Sequence, residues 1–181
     1  MAKLKRLIIH PGFHKTGTTA LQQALSEVRD DLSANGFNYP KIAGNAHHRA
    51  AWSIIEKTWG WKKRGGRLMA PVEWQKLDRK LRSSKDAAII SSEFFSEASA
   101  EQLQVLRKNT QNFDVQVILT WRPLPFMLAS SYQQYLKYGI KANYEKWLLG
   151  IFKEGEYKNH TPSFWERHRH GEVISKWVEV F

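Results

Sequence analysis

The stretch Pro11-Gly12-Phe13-His14-Lys15-Thr16-Gly17-Thr18-Thr19 decides how this chain folds. Before it, Leu7-Ile8-Ile9 reads as a short buried strand; after it, Leu21, Leu25, Val28 and Leu32 recur at helical spacing. The turn between them must be tight, and Gly12 and Gly17 permit that. The first N–H groups of a helix have no partner within it and face the preceding turn, with the positive end of the helix dipole behind them. The hydroxyls of Thr18 and Thr19 and the charge of Lys15 add to that field. Strand, glycine-rich turn and helix in this order make a phosphate loop. It is not a Walker loop, whose lysine follows the second glycine and precedes Ser or Thr; here Lys15 comes before Gly17.

A second motif follows the same logic. Val115 to Trp121 is a dense apolar run and reads as a buried strand. It leads into Arg122-Pro123-Leu124-Pro125, whose prolines suit the first turn of a helix. Arg122 is therefore expected at the carboxyl end of a strand, where α/β sheets bind ligands. Ser130 lies about two helical turns further on.

The run Lys15-Thr16-Gly17-Thr18-Thr19, with Leu21 and Gln22 after it, resembles the 5′-phosphosulfate loop of the sulfotransferases that use 3′-phosphoadenosine 5′-phosphosulfate (PAPS). Arg122 with Ser130 and Tyr132 is similar to that family's grip on the 3′-phosphate. The family often has one more residue between the arginine and the proline, and Ser131 is the alternative to Ser130. The resemblance covers both nucleotide motifs and the chain between them. It implies a three-layer, P-loop-like α/β fold with a short parallel sheet flanked by helices. It implies PAPS as the sulfate donor, adenosine 3′,5′-bisphosphate as product, and no metal. The cofactor-binding set carried over is His14, Lys15, Thr16, Gly17, Thr18, Thr19, Arg122, Ser130 and Tyr132. The acceptor is a hydroxyl or amine, with carbohydrate among the candidates. The family continues with a further strand after a helix like Lys176-Trp177-Val178-Glu179, so one domain over residues 1–181 is expected, incomplete at its C-terminus.

Sulfuryl transfer needs positive charge at the leaving phosphate oxygen and a base for the acceptor's proton. Lys15 suits the first role. Glu93, in Ile89-Ile90-Ser91-Ser92-Glu93-Phe94-Phe95, follows a third expected strand, Ala87 to Ile90, and suits the second. Phe94 and Phe95 are expected to desolvate its carboxyl and raise its pKa. His47 and His48 are the rival bases, since neutral imidazole accepts protons near neutral pH. Trp52 is a candidate for stacking on adenine. His168 and His170, near Arg167 and Arg169, read as solvated surface.

The net charge of +11 favours anionic ligands. Part of it crowds into Lys57–Arg67 among Trp59 and Trp61, a pattern that suits an acidic-substrate groove or a solvated loop; no nucleic-acid module is visible. No cysteine is present, which excludes disulfides and thiolate chemistry. No apolar run is long enough to cross a membrane and no signal-peptide core is visible, so a cytoplasmic location is expected. Helices are expected over 18–35, 46–58, 71–82, 99–111, 123–138, 144–152 and 171–181, with Gly36 stopping the first and Ser99 with Gln102 forming a capping box. Two other readings stay open: a non-catalytic nucleotide-binding module, and a P-loop kinase or NTPase, against which the lysine order argues.

Overall fold

The computed structural model describes residues 4–56, 68–153 and 164–181. The basic and aromatic stretch at 57–67 lies outside them. The chain runs β1 (Lys5–His10), α1 (Thr18–Glu27), α2 (Arg29–Ala34), β2 (Phe37–Asn38), α3 (His48–Ile55), α4 (Val72–Arg82) and β3 (Ala87–Ser91). A 3₁₀ turn (Glu93–Glu97) follows, then α5 (Ala100–Asn109), β4 (Phe113–Val117), α6 (Leu124–Lys137), α7 (Tyr144–Phe152), α8 (Phe164–His168) and α9 (His170–Val180).

The strands form one parallel sheet in the order β2-β3-β1-β4, flanked by helices. Because the strands are parallel, the chain leaves β3, β1 and β4 at the same edge, the edge at which α/β folds bind ligands. Register explains the core. Leu7 pairs with Ala88 and Val115, and Ile9 with Ile90 and Val117, so these side chains leave one face together. They pack on Ile55, Trp74, Leu77, Leu103, Leu106 and Trp177 from the flanking helices. A second, aromatic cluster joins Leu128, Tyr135, Trp147, Ile151 and Phe164.

Several sequence expectations are corrected. The sheet has four strands, not three; β2 is only two residues long and leaves no periodic signal. The expected helix over 18–35 breaks at Val28 into α1 and α2, and Gly36 (φ 84°) does end the second. The apolar repeat of α1 misleads, because Leu21 and Val28 are 38% and 42% exposed while the helix buries Thr18 and Gln22. The run Val115 to Trp121 pairs only as far as Val117, with Ile118 N–H still bonded to the Ile9 carbonyl. Arg122 therefore stands beyond the strand end on irregular chain. The capping box on α5 is present, with Ser99 and Gln102 bonded reciprocally.

Candidate active site

Between β1 and α1 three residues take left-handed backbone: Gly12 (φ 56°), Lys15 (φ 67°) and Gly17 (φ 88°). Alternation of left- and right-handed residues turns successive N–H groups inward and makes an anion-binding concavity. Gly12 is required twice over, since a Cβ there would stand 2.5 Å from Thr18 Cγ2. Lys15 holds a conformation that costs a side-chain-bearing residue roughly 1 kcal/mol or more. The Thr16 hydroxyl closes the turn by donating to the Phe13 carbonyl at 2.8 Å. Gly17 is the N-cap of α1, which has no side-chain cap and no acidic residue in its first turn. Its leading N–H groups and dipole are thus left for an anion.

The loop opens onto a cleft of about 460 Å³, a size suited to a small-molecule ligand. One wall is His14, Lys15, Gly17, Thr18 and Thr19, with Glu93 and Phe94 beside it. The other is Arg122 with Ser130, Ser131, Gln134, Tyr135 and Tyr138 of α6, joined by Arg167 and His168. Ser130, Gln134 and Tyr138 recur every four residues, which sets them on one helix face. The two phosphate-type motifs thus share one cleft, and Ser130 and its alternative Ser131 both reach it.

Glu93 opens the 3₁₀ turn capped by Ser92, whose hydroxyl accepts from Phe94 N–H. Its Oε2 accepts from Gln22 Nε2 at 3.1 Å and lies 3.8 Å from His48 Nδ1. Burial pushes its pKa up, as expected from Phe94 and Phe95. His48, His14, its own backbone and Gln22 outweigh that, so the carboxyl ends below the ordinary value of 4.5. The expected rise is therefore corrected, and Glu93 is ionised at neutral pH. Lys15 is lowered from its ordinary value, by burial first and then by Lys137.

The two adjacent histidines part company. His47 is buried, its Nε2 on the Pro40 carbonyl at 2.8 Å and its Nδ1 accepting from Ser91 N–H at 3.1 Å. Burial lowers its pKa to about 4. With both nitrogens held by backbone and no place in the cleft wall, it ties the loop before α3 to β3. His48 Nδ1 meets Ser92 Oγ at 2.9 Å, beside Glu93, and its ring contacts Phe94 edge-on. Burial lowers its pKa, against the pull of Glu93.

Three further residues differ from their sequence reading. Tyr132 donates to the Ala142 carbonyl at 2.8 Å and packs on Tyr144 and Trp147, away from the cleft. Thr16 faces the Phe13 carbonyl and Thr120 Oγ1 instead of the cavity. Trp52 is buried against Phe94, which removes it as an adenine platform.

Five cleft residues were not among the sequence candidates: Gln134, Tyr135, Tyr138, Arg167 and His168. Arg167 and His168, read as solvated, line the cavity. Arg167 Nε bonds Glu97 Oε1 at 2.9 Å, and the same oxygen lies 2.8 Å from His14 Nε2. His168 Nε2 meets Ser131 Oγ at 3.2 Å, and burial holds its pKa at about 3. Nothing in the basic run Glu166–Arg169 separates these two from surface residues; only the fold does. Among the described residues no group of three or more His, Asp or Glu side chains is arranged to hold a metal ion, and no helix is long and apolar enough to cross a membrane.

The model of one family, the sulfotransferase domain, matches residues 5–175. No curated protein and no solved structure matches the chain.

Proposed function

Because the chain belongs to the sulfotransferase domain family, we propose that it transfers a sulfuryl group from PAPS to a hydroxyl or amine acceptor. The observation that carries this reading is the single cleft between the uncapped start of α1 and the Arg122–Ser130 segment, with an ionised carboxylate at its side. The residues fit a doubly phosphorylated nucleotide. The left-handed loop, Thr18 and Thr19 would hold the 5′-phosphate, and Arg122 with Ser130 the 3′-phosphate.

PAPS, when bound, supplies the sulfuryl group: the acceptor oxygen or nitrogen bonds to sulfur while the bond from sulfur to the 5′-phosphate oxygen breaks. Lys15 and the N–H groups of α1 meet the charge that gathers on that oxygen. Glu93 takes the proton that the acceptor loses. Gln22 keeps the carboxylate aimed by donating Nε2–H to its Oε2. Arg167 and His168 shape the far wall.

Calorimetric titration with adenosine 3′,5′-bisphosphate, AMP and ATP tests the donor. The bisphosphate should bind tightest, and Arg122→Ala should weaken it about thirtyfold, the size of a hydrogen bond to a charged group, while AMP binding stays nearly unchanged. Equal binding of all three nucleotides would overturn the reading.

A further inference from the structure

The end of β1 carries a side chain that the donor site leaves unused. His10 and Ser91 are register partners on neighbouring parallel strands, so their side chains leave the same face and meet. His10 Nδ1 lies 2.8 Å from Ser91 Oγ. Across the ring, Nε2 lies 3.1 Å from Thr120 Oγ1, which is 2.9 Å from Thr16 Oγ1. Thr16 donates to the Phe13 carbonyl. On the other side, Gln22 Nε2 donates to Ser91 Oγ and to Glu93 Oε2, each at 3.1 Å. His10, Ser91 and Gln22 are buried.

The protons fix the direction of this chain, because a hydroxyl has only one to donate. Thr16 gives its proton to Phe13, so it must accept from Thr120. Thr120 must then accept from His10, which puts the ring proton on Nε2. Nδ1 is left to accept from the Ser91 hydroxyl. Ser91 in turn accepts one Gln22 N–H, and the other goes to the carboxylate, which can only accept. Every link is satisfied, and reversing any one strands a buried group.

We propose that His10, held as the neutral Nε2–H tautomer, is a positioning residue that sets the phosphate loop and the Glu93 carboxylate in one fixed relation. Its consequence for transfer rests on the sulfotransferase reading. The ring does not line the cleft; it packs under the turn, where a Cβ on Gly12 would stand 3.4 Å from His10 Cε1. Burial also holds the ring pKa below the ordinary value, against the upward pull of Glu93.

The test is ¹⁵N NMR of the seven histidines, with His10 assigned by loss of its signals in His10→Gln. Wild type should show a protonated Nε2 and a bare Nδ1 at neutral pH. Thr120→Val cuts the loop side: it should speed amide exchange at residues 15–19 and weaken adenosine 3′,5′-bisphosphate about tenfold, leaving the Glu93 titration in place. Ser91→Ala cuts the other side: it should move the ¹³C titration of Glu93 upward and leave the loop amides as they were. A merely structural role would move both readouts together. An Nδ1–H ring or an imidazolium in wild type at neutral pH overturns the inference, as do two variants with identical effects. If the tautomer and the split effects appear but wild type binds no bisphosphate, the donor assignment fails and the positioning role stands.

Discussion

The sheet half and the helical half line opposite walls of one cleft, and different forces hold them. In the sheet half, backbone register fixes the side chains: Leu7, Ile9, Ala88 and Ile90 point one way, and His10 and Ser91 the other. In the helical half, ring packing does the work. Trp147 is fully buried with ring centroids of Tyr132, Tyr135, Tyr144 and Phe164 at 5.4, 6.0, 5.9 and 5.7 Å. The halves meet at a seam where Arg167 bonds Glu97 and His170 packs on Phe13 with centroids 4.3 Å apart. A register-fixed wall holds its polar groups through the ladder itself. A packed wall holds Ser130, Ser131 and His168 only while its aromatic core is intact.

The sharpest break in this contrast is Lys15→Ala. It should cut bisphosphate release from PAPS about a thousandfold, the loss seen when one charge-stabilising donor is removed, with no fall in Tm. A melting point lowered as by a core substitution would show that Lys15 serves the fold. Next is Trp147→Ala, expected to cost about 4 kcal/mol in urea unfolding. Amide protection should fall across 124–152 well before it falls in β1 and β3; loss in both halves at once would erase the distinction. Trp147→Phe should cost far less, since the buried indole N–H has no partner among the described residues.

Acid probes both halves together. His47, on the sheet side, and His168, on the helical side, are lowered by burial to about 4 and about 3. Below the ordinary value of 6.5 the unfolded chain binds protons that the folded chain refuses. Stability is therefore full above pH 6.5 and falls as the pH drops towards these folded values, by about 3 kcal/mol for His47 at pH 4. Tm measured from pH 7.5 to 4.5 should decline, and His47→Gln should flatten the slope; a level profile would mean that these rings are hydrated. The smallest effect is Lys15→Gly, which should raise stability by about 1 kcal/mol by relieving the left-handed backbone. No gain would mean the loop relaxes when its side chain is removed.

The sequence made the sheet half easier to read than the helical half. The glycine turn between β1 and α1, β3 and the α5 capping box rest on local signals that nothing distant overrides. The expected limits of α7 match the structure, where Asn143 caps it, accepting from Lys146 N–H. The end of β4 was misread because apolarity continues past pairing: Trp121 is apolar yet 63% exposed, its indole bonded to His170. The buried face of α1 was misread for the opposite reason. Thr18 and Gln22 are polar, and they are buried because they serve the loop and Glu93. Arg167 and His168 carry no local mark at all; they join the cleft only because α8 folds back against the 3₁₀ turn.

The way Arg122 is mounted bears on how this chain tolerates length changes. Glu93 follows β3 by two residues, so one residue added within Ala87–Ser91 would swing the carboxylate to the other side of the sheet. Arg122 sits instead on a short tether past Val117, pinned at Thr120 by His10 and Thr16. An insertion before the pin would pull the hydroxyl chain apart, whereas one after Arg122 would merely shift the start of α6. Lengthening of the arginine–proline junction is thus a change that leaves the pin at Thr120 in place.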